Sequence, residues 1–177
     1  MKKIISLALV AVMLVVSALV FTSSAATKIG KKVDAFTAGK EVVLAINGKV
    51  LTATTTAAEG TAGTGFSSIA SGDSNGQITL SDDMLTFTVE AGSADGSFCL
   101  KTGGKYLTAS VSGSTVNLSL ASSKTDGAEW AIGKVTTTPA LVASKVKNGT
   151  AAIALKTLSG GAKVVAANKP ASGNTAN

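Results

Sequence analysis

The chain contains no histidine and no arginine, a single cysteine, one tryptophan and one tyrosine, and two prolines among its 177 residues. Each absence narrows the possibilities. Without His there is no imidazole base for a nucleophile triad and no His metal cluster, and Cys99 has no imidazole to activate it. Without Arg there is no planar fork for bidentate phosphate recognition, and no dense basic cluster takes its place, so nucleic-acid binding is not expected. A lone Cys cannot form an intramolecular disulfide, so the fold must stand on its own packing. In "SFCLK" it reads as a half-buried strand residue.

What is present begins with a targeting pattern. Lys2 and Lys3 precede an unbroken apolar run, Ile4 to Phe21, and then the small residues "TSSAAT". This reads as a secretory signal over residues 1–26, a helix cleaved after Ala26, of bacterial type. The same run is just long enough to be kept as an anchor, so a membrane association is expected only in that case. The expected product is secreted, or associated with the cell wall. Residues 27–168 then form one domain, and residues 169–177, "KPASGNTAN", form a tail without regular structure. After cleavage 14 lysines face ten acids, a net +4 that mildly favours anionic wall polymers or membrane surfaces.

Beyond Ala26 the chain is rich in Gly, Ala, Ser and Thr, and short alternating β-branched runs are closed by Gly pairs. That pattern predicts an all-β domain. Self-comparison finds "NGKVLTA" (Asn47 to Ala53) again as "GGKYLTA" (Gly103 to Ala109), identical at five of seven positions, and more loosely as "GAKVVAA" (Gly161 to Ala167). Lys49, Lys105 and Lys163 mark the period, with separations of 56 and 58 residues. Each copy follows an apolar run, "EVVLAI", "SFCLKT" or "AAIALKT", and so forms the second arm of a hairpin turning on Asn47-Gly48, Gly103-Gly104 or Gly160-Gly161. Further strands are expected at "QITL" and "LTFTVE" in the first copy and at "TVNLSLA" and "EWAIGKV" in the second.

Three units of about four strands predict a β-trefoil, whose barrel closure removes sheet edges. The N-terminal "TKIGKKVDAF" is expected to complete the third unit. "GKYLTA" at Gly104 to Ala109, then Val116-Asn117, Ser123-Lys124 and Trp130-Ala131-Ile132, resembles the repeat of fascin-type β-trefoils and, more broadly, the ricin-type modules of secreted bacterial proteins. The resemblance implies the fold and sugar binding by an aromatic platform near Asp or Asn. It departs from the ricin pattern in lacking the Gln two residues before Trp, where Ala128 stands.

Candidate sites are few. Phe87, Phe98, Tyr106 and Trp130 sit at strand or core positions, with the Tyr106 hydroxyl expected to reach a backbone group or water. Phe66 lies in the long small-residue segment 52–74, read as a mobile loop, and is the aromatic freest to face solvent and ligand. Lys49, Lys105 and Lys163 would form a shared anion site if threefold symmetry gathers them at one end, against the plainer alternative of solvated hairpin lysines. Asp73-Ser74-Asn75-Gly76 opens like a calcium loop but lacks its closing acid, so no metal is expected. The acids fall in turns, so no catalytic pair and no cofactor are expected. The sequons at Asn117 and Asn148 matter only in a eukaryotic secretory route. The expected function is an exported, non-catalytic module binding a polysaccharide or cell-wall polymer; the alternative is a structural envelope-associated protein with no small ligand.

Overall fold

The computed structural model describes residues 29–31, 33, 35–46, 48–57, 64–70, 77–113, 115–135, 138–146, 149–157 and 163–168. The signal region and the tail lie outside them, as do Asp73 to Gly76, Asn148 and Gly160-Gly161. The domain is all-β. Its strands are β1 Ile29–Lys31, β2 Glu41–Val43, β3 Ala45–Ile46, β4 Lys49–Ala57, β5 Thr64–Ala70, β6 Gln77–Thr79 and β7 Thr86–Ala91. They continue as β8 Phe98–Thr102, β9 Lys105–Ser112, β10 Thr115–Ala121, β11 Ala131–Val135, β12 Thr138–Ala143, β13 Ala151–Thr157 and β14 Lys163–Asn168. A 3-10 turn, Asp126–Ala128, precedes β11. No helix of the described residues is long and apolar enough to cross a membrane.

The ladders form a five-stranded sheet in the order β10-β9-β8-β7-β2, a seven-stranded sheet β11-β12-β13-β14-β5-β4-β3, and the pair β1-β6. None of them closes on itself among the described residues. One core serves both large sheets: Leu51, Phe66, Phe87, Leu100, Leu107, Leu118, Trp130 and Ile153 belong to one buried cluster. Strand β7 shows the alternation that drives this, with Phe87 and Val89 buried and Thr86 and Thr88 exposed. Phe36 stacks on Phe98 at 4.4 Å between ring centroids and ties the segment before β2 to that core.

The strand pairings repeat. The strands β7-β8-β9-β10 form one antiparallel meander, and β11-β12-β13-β14 form another. In the first unit β3 pairs β4 and β4 pairs β5, while β2 pairs β7. Phe98 on β8 bridges Trp130 in the same way that Val42 faces Phe87. The last strands of the three hairpins come together: β14 pairs β5, and β10 packs against both.

Four expectations change. Segment 52–74 contains the end of β4 and all of β5, because Thr-rich chain is β-branched and pairs well even when its hydropathy is flat. Phe66 is therefore fully buried, with Thr55 and Val165 as its cross-strand neighbours. The third copy does form the expected hairpin, β13 with β14 and Thr157 opposite Lys163, but β12 pairs β13 ahead of it, so β14 is the third strand of the run β12-β13-β14 and not a second. Finally, β1 pairs β6 of the first unit instead of completing the third.

Candidate functional site

The wet face of the five-stranded sheet carries a row fixed by register. Glu41 faces Thr88, Thr88 faces Lys101, Lys101 faces Tyr106, and Tyr106 faces Ala121. Directly opposite residues on paired strands share a face, so these side chains emerge on one surface. Glu90, two residues beyond Thr88 on β7, joins them.

Glu90 is the hub. Lys101 Nζ donates to its Oε1 at 3.1 Å, and Lys124 Nζ lies 3.0 Å from its Oε2. The Tyr106 hydroxyl donates to Oε2 at 3.2 Å, so its partner is a carboxylate and not the backbone or water. Both ammonium groups also lie near the tyrosine ring, 5.2 and 5.6 Å from its centroid, within cation–π range. Lys124, then Lys101, hold the Glu90 carboxyl down at about 2, against an opposing effect of burial. In return Glu90 pushes the Lys101 and Lys124 ammonium groups up. Four polar groups thus form a connected, half-exposed cluster with one more positive charge than negative.

A second cluster clamps loops rather than opening a surface. Ser93, in the turn between β7 and β8, donates its backbone N–H to Glu129 Oε1 at 2.8 Å and its hydroxyl to Oε2 at 2.9 Å. Lys145 Nζ donates to Ser93 Oγ at 2.9 Å and to Glu129 Oε2 at 2.8 Å. Lys145 and then Ser93 hold Glu129 at about 2.

The three hairpins show where the first cluster departs from its surroundings. The second cross-strand pair from the turn is Ala45 with Val50 in the first unit and Val142 with Ala152 in the third. In the second unit it is Lys101 with Tyr106. Two apolar pairs fit a scaffold position. A lysine and a tyrosine at the same place make a polar surface found in one unit alone. Glu90 reaches it from the strand before, and Lys124 from the segment after β10.

The expected site residues are distributed differently. Lys49 and Lys105 each follow a positive-φ glycine, Gly48 and Gly104, and open β4 and β9. Lys163 opens β14, one strand later in its unit, while Thr150 stands just after the third turn's Gly149. The three lysines are therefore not equivalent, because the loose third match aligned a third strand with two second strands. Phe66, being buried, offers no ring to a ligand. Cys99 is wholly buried, and burial pushes its thiol up.

Spacing gave no warning of Glu90 or Lys124, because they meet only through strand pairing. Tyr106 did leave a signal: apart from the first turn residue, it is the position where "GGKYLTA" differs from "NGKVLTA". Among the described residues no three acids or thiols lie close enough to hold a metal ion. Compared with known proteins, the chain matches no family model, no curated protein and no solved structure.

Proposed function

We propose that the chain is a β-trefoil that acts as an exported, non-catalytic binding module of the bacterial cell surface, taking a glycan or an anionic wall polymer on the face around Tyr106. The threefold recurrence of the hairpins, and the meeting of β5, β10 and β14, support the trefoil. Export rests on the Lys2-Lys3 and apolar N-terminal pattern. Substitution of Lys101 and Tyr106 for an apolar pair carries the functional reading. A fold gains nothing in packing from that exchange, whereas a half-exposed tyrosine beside two ammonium groups offers a ring face and several N–H donors to a polyhydroxylated or anionic chain.

Retention of residues 27–177 on isolated cell-wall fractions tests this directly. Saturable retention is expected, and Tyr106→Ala should weaken it about tenfold, the usual effect of losing one stacked ring and its hydroxyl. Joint reversal of Lys49, Lys105 and Lys163 to Glu should weaken it less than loss of Tyr106 alone. Binding that ignores Tyr106→Ala sinks the assignment of this face. No retention on any surface polymer would favour the structural envelope role.

A further inference from the structure

Lys101 and Lys124 come from different elements, yet their ammonium nitrogens meet opposite oxygens of one carboxylate, at 3.1 and 3.0 Å. All three side chains keep between 30 and 46% of their surface exposed. Exposed ion pairs are weak and exchange partners readily. Each ammonium carries three N–H donors and spends one on Glu90, so the cluster turns donors outward. Most of its acceptor capacity is taken: Glu90 Oε1 accepts from Lys101, and Oε2 from Lys124 and Tyr106, three of the roughly four lone-pair sites of the carboxylate. A surface with spare donors and engaged acceptors suits an oxyanion better than a neutral sugar hydroxyl, which must both give and receive.

Resting on the reading that this face binds a surface polymer, we infer that Glu90 is a built-in counter-ion. It holds Lys101 and Lys124 apart at the spacing of one oxyanion, and a phosphate or carboxylate group of the ligand takes its place between them. Tyr106 then lies against the carbon chain next to that group. Glu90 also competes with the ligand, which sets the affinity low enough for reversible attachment. The energetic balance is local, since screening confines such charges to a range of about 8 Å at physiological salt.

The test uses residues 27–177 with three immobilised probes: poly(glycerol phosphate), polygalacturonate and neutral dextran. Glu90→Gln should bind the anionic probes about three- to tenfold more tightly than the unaltered protein, in line with the release of two exposed ion pairs. Joint Lys101→Met and Lys124→Met should weaken that binding about tenfold or more, and the comparison of the two anionic probes identifies phosphate or carboxylate as the preferred group. Asp82→Asn, which removes the same charge from an exposed turn, should change nothing; circular dichroism should show every variant folded. If Glu90→Gln gains no more than Asp82→Asn, the counter-ion role is overturned. Tyr106-dependent retention on dextran that ignores both lysines would overturn it while leaving the binding-module reading standing. Failure of every probe with both the unaltered protein and Glu90→Gln would take down both.

Discussion

Trp130 shows how one residue ties several strands together. Its ring is fully buried, its backbone bridges Phe98, and its indole N–H donates to the Leu107 carbonyl at 2.9 Å. Trp130→Phe keeps much of the apolar volume but leaves that carbonyl without its donor. A loss of about 2 kcal/mol in urea-unfolding stability is expected. Gly127 is constrained by space: a Cβ there would meet the Ala109 carbonyl oxygen, so Gly127→Ala forces the backbone apart and should cost about 2–3 kcal/mol. Glu90 and Glu129 set the acid limit. Their carboxyls sit at about 2 in the folded protein against an ordinary 4.5. Their contribution to stability is thus complete above the unfolded value and is lost as pH falls from there through the folded one. Urea midpoints should decline across that window, and the joint Glu90→Gln, Glu129→Gln variant should decline less steeply.

Among the elements, the hairpins depend on backbone chirality. Gly103 and Gly104 have φ of 52° and 76°, the left-handed pair that a two-residue hairpin needs. No atom lies within 4 Å of a Cβ built on Gly104, so Gly104→Ala meets no obstacle except its own φ. The expected cost is about 1–2 kcal/mol, and Gly104→Asn should recover part of it. Hairpins of this kind were legible because their turns carry Gly pairs and their arms carry β-branched or aromatic residues. "TVNLSLA" and "AAIALKT" are strands over their whole quoted length. Strand β5, "TGFSSIA", was not legible: Gly, Ser and Thr neither favour nor oppose burial strongly, and only its pairing with β4 and β14 reveals a strand. The phase of the third unit was lost for a related reason. "GAKVVAA" matched by composition, whereas the order of pairings follows β12.

For the whole molecule, cohesion comes from a core that runs from Leu44 to Ile153 and includes residues of both large sheets. Unfolding is expected to be a single cooperative transition. Strand β14 links the two parts of the seven-stranded sheet, since it pairs both β13 and β5. A chain ending before Lys163 should lose cooperative unfolding and bind a hydrophobic dye, as the neighbourhood of Phe66 opens to water. The all-β class was readable from alternation and turns alone. The cluster around Glu90 was not, because it is assembled from β7, β8, β9 and the segment after β10, and no sequence interval encodes which strands lie side by side.

The hairpin pairs Ala45 with Val50 and Val142 with Ala152 have a consequence for how such a protein acquires and changes specificity. On the proposed trefoil reading such a position is present three times and insured twice: one copy can be given over to recognition while the other two keep the form of the scaffold. On the reading proposed above, exchanging Lys101 and Tyr106 should therefore retune what is bound and leave folding almost untouched, whereas Val50, Val142 and Ala152 are buried, so polar exchanges there should cost stability instead.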